Sequence, residues 1–284
     1  MDEDVLNKLR NVEMNILNEL VRICNKHNLT YVLTAGTLIG AVRHKGFIPW
    51  DDDIDIALPR KDFNKLIEIC KIELNKEYFL DCPDTNEKYW LPLFKVRKLN
   101  TIYEEPFQKN YDKCKGIWVD ILPLDNANTT NSIFLKMQAK IVNELRHIIS
   151  VKNGFSKRRK ITNIKRFLRI FYMYPIMLFP TRTLENFQQK IMSINKNNNS
   201  KYIVNLASKY GYKKQVFPRD KYFPVSKVEF EGKEYNAPND VDYVLTTIYG
   251  KDYMKIPPKD KQETHCPRRV KFEGEEEIFY GEKI

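Results

Sequence analysis

Asp53 and Asp55 flank one isoleucine in Asp51-Asp52-Asp53-Ile54-Asp55-Ile56, and a period-two strand there turns both carboxylates to one face and both isoleucines to the other. Carboxylates that close repel in a poorly solvated site, so they take up a proton or share a cation. Oxygen-only ligands favour Mg2+ or Mn2+, with substrate phosphates and water completing the coordination shell. The plainer alternative is a solvated acidic turn. An EF-hand does not fit, because the glycine at loop position six and the glutamate at position twelve are missing. Upstream, Tyr31-Val32-Leu33 reads as a strand running into Gly36 and Thr37, and Thr37 to Val42 can start a helix. The free N–H groups and dipole of such a helix favour an anion, which makes Gly36 and Thr37 the expected phosphate seat.

Cationic side chains lie within reach of both features. Lys95 and Arg97 stand two apart in Phe94-Lys95-Val96-Arg97-Lys98 and share a strand face, a pairing suited to a diphosphate or, more plainly, to a solubilised surface. Arg43, His44 and Lys45 sit between the glycine turn and the acids. Arg43 is the favoured phosphate contact of the three, and Lys45 is kept as a second. Trp50 either packs in the core or offers a ring face to a quaternary ammonium. Asp120 lies in the apolar run Ile117-Trp118-Val119-Asp120-Ile121-Leu122, where an unpaired carboxylate is costly, so it must meet a cation, a basic side chain or backbone donors. Asp125, two residues after Pro123, reads as a turn or helix-capping residue. His265 is a lesser candidate for proton transfer, equally readable as a surface residue.

The run Gly-Thr-Leu-Ile-Gly-Ala-Val-Arg-His-Lys-Gly-Phe-Ile-Pro-Trp-Asp-Asp-Asp-Ile-Asp-Ile resembles the signature of the LicD family, phosphocholine transferases of the nucleotidyltransferase-fold superfamily that also includes the fukutin-related proteins. Later blocks follow in the family's order: Phe94-Lys95-Val96-Arg97 with Thr101, Gly116 to Asp125, and Tyr249-Gly250 with Pro257-Pro258 and His265. Thr37 stands where the wider superfamily has serine or glycine, and the gap to Asp53 is long, both of which suit the LicD branch. The resemblance implies Asp120 as a third acidic ligand, making Asp53, Asp55 and Asp120 the catalytic and metal-binding set. It also implies a CDP-choline or similar CDP-alcohol donor, a glycan or glycolipid acceptor, and release of CMP. Transfer of ribitol phosphate or phosphoethanolamine is the alternative, and a nucleotidyltransferase acting on nucleic acid a more distant one.

The elements that position these residues can be read from periodicity. Leu9, Val12, Ile16, Leu20 and Ile23 step by three or four along a first long helix. Asp62 is read as the cap of a second helix with Phe63, Leu66, Ile67, Cys70 and Leu74 inward. Strands are expected around 89–99, 101–104 and 116–122, helices over 131–151, 184–194 and 240–249, and a hairpin over 228–235. The fold class expected is α/β (α+β): a nucleotidyltransferase-type mixed sheet flanked by helices, with a helical C-terminal region carrying a small hairpin. Residues 1–130 are assigned to the catalytic core and 131–284 to a basic, acceptor-binding region.

Charge and cysteine content set outer limits. The five cysteines (24, 70, 82, 114 and 266) are odd in number, dispersed and without a CxxC pair, so neither a disulfide framework nor a zinc site is expected. The N-terminal stretch lacks a secretory pattern, and a cytoplasmic location is expected. The formal charge is +11, yet residues 145–184 hold ten Lys or Arg and no Asp or Glu, so nearly all the excess is local. Within that stretch the aromatic-rich run 167–180 is too short to span a bilayer. It suggests a segment lying on the anionic cytoplasmic face of a membrane, against the simpler reading of a core helix with a cationic flank. No nucleic-acid module accompanies the basic residues, so no nucleic-acid partner is expected.

Overall fold

The computed structural model describes residues 1–105, 114–130, 132–155, 173–197, 199–262 and 264–280. Residues 156–172, which carry seven of the ten Lys or Arg of the basic stretch singled out above, lie outside the described residues.

Helix α1 (Glu3–Lys26) begins where the Asp2 side chain accepts from Val5 N–H, and it buries Leu9, Ile16, Leu20 and Ile23 as the three-four spacing predicts. Strand β1 (Val32–Leu33) turns sharply into α2 (Ala35–His44), with Ala35 at φ 50° in the left-handed region. β2 (Asp55–Pro59) leads directly into α3 (Arg60–Glu73), with Pro59 at the boundary and no side chain capping the helix start. Asp62 therefore lies inside α3 and is not its cap; its carboxylate accepts from Thr30 N–H instead. β3 (Tyr78–Asp81), β4 (Phe94–Lys98), β5 (Ile102–Glu104) and the ten-residue β6 (Trp118–Ala127) follow.

The main sheet has the order β1-β2-β6-β4-β3. β2 runs parallel to β6, while β4 is antiparallel to it, so the sheet is mixed. Its seven strands include β7 (Tyr202–Val204) and β8 (Val216–Pro218), which come from the second half of the chain and extend the sheet from the far end of β6. β6 accommodates Pro123 because β4 stops pairing at Ile121 and β7 begins only at Asp125, so no ladder bond is lost on that side.

Two antiparallel helices, α4 (Ile133–Lys152) and α5 (Thr181–Met192), pack together. Gln138 Nε2 donates to the carbonyls of Ile191 and Met192, and Gln188 Nε2 to that of Val142. The hairpin of β9 (Ser226–Phe230) and β10 (Lys233–Ala237) turns at Glu231-Gly232, and α6 (Val241–Tyr249) starts at an Asp240 cap. Finally β11 (Arg269–Lys271) pairs with both β5 and β12 (Ile278–Phe279). The molecule is thus an α+β fold with helices flanking a mixed sheet. Among the described residues no helix is long and apolar enough to cross a membrane.

Candidate functional site

The register of the main sheet places three chemically active side chains in one row. Asp55 on β2 is opposite Asp120 on β6, and Asp120 is opposite Lys95 on β4. Directly opposed residues project from the same face, so a single line across three strands reads carboxylate, carboxylate, ammonium. Asp53, two residues before Asp55, joins them: one carboxylate oxygen from each of Asp53, Asp55 and Asp120 can be chosen with all three within 4.8 Å of one another. Ile54 and Ile56 point away into the core and are fully buried.

The backbone under this cluster is fixed by α2. Thr37 Oγ1 accepts from Asp55 N–H at 2.8 Å, and Thr34 N–H donates to the Asp55 carbonyl at 3.1 Å. Asp120 N–H in turn donates to the Ile54 carbonyl at 2.8 Å. Gly36 makes room for an acid: a Cβ at that position would stand 2.6 Å from Asp51 Oδ2. The first turn of α2 therefore already has a carboxylate beside it, and the Thr37 hydroxyl is engaged in holding Asp55 in place.

Burial and mutual repulsion push the Asp55 carboxyl well above the usual range, with Asp53, Asp120 and Asp51 adding to the effect of burial. Asp53 and Asp51 are also raised, each first by burial. Glu13 on α1 is raised well above its ordinary value by burial and then by Asp53, Asp52 and Asp51. So many acids in one place call for positive charge. Lys95 supplies some of it, with Nζ 2.5 Å from Asp120 Oδ1 and 4.2 Å from the centre of the Trp118 ring. A divalent cation fits the remainder: three converging oxygens form a hard donor set on one face, and the raised carboxyls of Asp55 and Asp53 signal uncompensated negative charge.

His265 supplies the second cationic group, and sequence reading underrated it. Its Nδ1 is 3.0 Å from Asp52 Oδ1, its backbone N–H donates to both Asp52 oxygens at 3.2 Å, and its Nε2 is 3.7 Å from Asp53 Oδ2. The Tyr103 hydroxyl donates to the other face of Asp52. Burial works against protonation of the ring, but the Asp52 hydrogen bond and the charges of Asp53, Asp52 and Glu105 outweigh it and raise His265 to about 10. Asp52 moves the opposite way: burial raises it, and the contacts with His265 and Tyr103 bring it below its usual value. A separation of 213 residues joins this pair, so no local spacing could have revealed it.

Other residues expected at the site have different duties. Arg97 is 1% exposed; its Nε is 2.6 Å from Asp81 Oδ2, and its Nη1 donates to the Gly116 carbonyl, so it closes a buried ion pair across β3 and β4. Arg43 donates to the carbonyls of Tyr253 and Lys255 and lies 5.8 Å from the Trp50 ring centre, tying the segment after α6 to the C-terminal end of α2. Trp50 is half-buried under that guanidinium and packs against the core. Lys45 ends α2 in the left-handed conformation, with its exposed ammonium 3.0 Å from Glu229 on the hairpin. Asp125 is neither turn nor cap: it lies within β6, where Arg60 grips it with two bonds of 2.6 and 2.7 Å. Among the described cations expected to meet phosphate, Lys95 is the one paired with the acids.

Residues 28–149, which contain Asp53, Asp55, Asp120 and Lys95, match the family model for the LicD/FKTN/FKRP nucleotidyltransferase domain. The chain is 29% identical over 257 residues to the lipopolysaccharide cholinephosphotransferase LicD of Haemophilus influenzae, covering 89% of this chain and 92% of that protein. A 47-residue stretch is 43% identical to uncharacterized proteins of Rickettsia prowazekii and Rickettsia typhi, covering 18% and 15% of those chains.

Proposed function

We propose that this chain, a LicD-family protein by its nucleotidyltransferase domain, is a transferase that moves phosphocholine from CDP-choline to a hydroxyl of a cell-surface glycan or glycolipid precursor and releases CMP. The observation that carries the reading is the convergence of Asp53, Asp55 and Asp120 on one face of the sheet beside Lys95. The lipopolysaccharide cholinephosphotransferase that matches over most of its length supports the transferred group and the acceptor class.

In this reading Asp53, Asp55 and Asp120 hold one Mg2+ or Mn2+, which when bound neutralises charge on the phosphoryl oxygens. The residues of the chain do the positioning. Thr37 and Thr34 lock the Asp55 backbone, Lys95 sets the Asp120 carboxylate and adds a positive charge, and the Asp52-bound His265 faces Asp53. The donor diphosphate lies between the acids and the first turn of α2. An acceptor oxygen attacks the choline-bearing phosphorus in line, a P–O bond forms, and the P–O bond to the cytidylate breaks. The hydroxyl proton passes to Asp53 or Asp120. Catalysis here is mostly positioning and electrostatics. In this scheme residues 1–130 supply the chemistry and 131–284 the acceptor side, on the cytoplasmic face of a membrane.

The test is incubation of the purified chain with CDP-choline, CDP-ethanolamine and CDP-ribitol in turn, with and without Mg2+, in the presence of a glycan acceptor. Mg2+-dependent release of CMP from CDP-choline supports the reading. Turnover of CDP-ribitol alone transfers it to another phospho-alcohol, and diphosphate release from nucleoside triphosphates overturns it.

A further inference from the structure

Helix α4 carries two apolar faces, and packing explains one of them. Leu135, Gln138, Ala139, Val142 and Leu145 are buried toward α5 and the core. The outward side carries Ile133 (80% exposed), Phe134 (59%), Met137 (57%) and Ile141 (38%). Spaced by one, four and eight residues, these four fall within about 100° of arc and form one continuous stripe on the helix surface. Exposed apolar residues scattered singly are ordinary, whereas four contiguous large ones are a contact surface. Lys136 and Lys140, both exposed, run along one edge of the stripe.

The charge around the stripe indicates what covers it. Along α4, Lys136 and Lys140 stand beside the stripe and Lys152 at its far end, against the one acid Glu144, while Arg146 turns to the opposite side and donates to the Ala207 carbonyl. In sequence, residues 153–184 carry eight further Lys or Arg and no acid, seven of them outside the described residues. At the far end of the helix pair, Lys152 Nζ holds the Met177 carbonyl at 2.6 Å, and the next two residues, Leu178 (85%) and Phe179 (55%), are exposed. A second copy docking on this face would bring the same positive charge against itself. An anionic bilayer surface complements both properties: apolar side chains enter the acyl boundary while lysines meet the lipid phosphates.

We infer that the outward face of α4, built on Ile133, Phe134, Met137 and Ile141 with Lys136 and Lys140 beside them, docks on an anionic lipid bilayer. The inference gives the proposed transferase its place relative to a lipid-borne acceptor and rests on that reading only for this consequence. Asp120 and Ala127 are seven residues apart along β6, roughly 23 Å at about 3.3 Å per residue, so the acids lie well away from the strand end that leads into α4. Loss of docking should therefore leave turnover on a soluble acceptor intact.

The full chain is sedimented with phosphatidylcholine vesicles and with vesicles containing about one-third phosphatidylglycerol, beside the double variant Phe134→Glu/Met137→Glu. Expected is binding to the anionic vesicles only, at least tenfold weaker in the variant, with an unchanged melting temperature and unchanged CMP release on a water-soluble glycan acceptor. No binding to anionic vesicles, or equal binding by the variant, overturns the inference. So does a dimer by light scattering that the variant dissolves without any vesicle binding. Vesicle binding without CDP-choline turnover would leave the surface standing and remove the transferase reading, and the reverse result would do the opposite.

Discussion

Glu185 offers a prediction whose magnitude follows from its surroundings. The side chain lies on the buried face of α5, one turn before Gln188, and is 2% exposed. Gln188 and Gln138 both donate across the α4–α5 contact, but neither Glu185 oxygen has a hydrogen-bond partner among the described residues. Burial pushes this carboxyl from 4.5 to about 9, against a smaller opposing pull from Arg182. A raised carboxyl means that the folded state keeps a proton the unfolded chain has already released, so stability falls as pH rises from 4.5 toward 9. At pH 7 the gap above 4.5 is 2.5 units, which at about 1.36 kcal/mol each costs the wild type about 3 kcal/mol. Glu185→Gln removes the ionisation while keeping the shape. Thermal and urea melts should coincide for the two proteins near pH 4, and the variant should melt about 5 °C higher at pH 7. The difference should grow up to about pH 9 and then level off. A pH-independent difference, or a variant less stable at pH 7, would show that the folded carboxylate is ionised and partnered, contrary to this reasoning.

Three further perturbations separate the site from its supports. Lys95→Ala should lower CMP release at least 100-fold while Lys45→Ala stays within twofold of wild type, as steady-state assays of both would show, because Lys95 contacts Asp120 and Lys45 contacts the hairpin. Arg60→Ala should destabilise the fold by about 3–5 kcal/mol in denaturant titration, because it strands a buried Asp125 carboxylate; Arg60→Ala/Asp125→Asn should recover part of that loss. Gly116→Ala would put a Cβ 2.0 Å from the Lys98 carbonyl oxygen, a backbone atom that cannot rotate away. A loss of about 1–3 kcal/mol or more is expected in the same titration.

What could be read from the sequence was governed by distance along the chain. α1 was legible because Leu9, Ile16, Leu20 and Ile23 repeat at helical spacing, and the start of β6 because its residues are almost all apolar. The Asp53 and Asp55 pair declared itself through alternation, and the family's block order pointed to Asp120. The partners of buried charges left no such trace. Arg97 and Lys95 look alike as alternate cations on one strand, and Lys95 stands in register with both Asp81 and Asp120, yet Arg97 takes Asp81 diagonally and Lys95 takes Asp120. Asp125 resembled a turn residue because Pro123 precedes it, whereas β6 continues through the proline where its neighbouring strand has ended. His265 needed the fold itself, since the chain must return from beyond α6 to set its ring between Asp52 and Asp53.

The central claim is that Asp53, Asp55 and Asp120 together hold one divalent cation. Mn2+ titration followed by electron paramagnetic resonance on wild type, Asp55→Asn and Asp120→Asn addresses it without relying on activity. One Mn2+ bound per wild-type chain, weakened at least tenfold in each variant with melting transitions still cooperative, is the predicted result. Mn2+ bound equally well by all three proteins, or by none, would contradict the account.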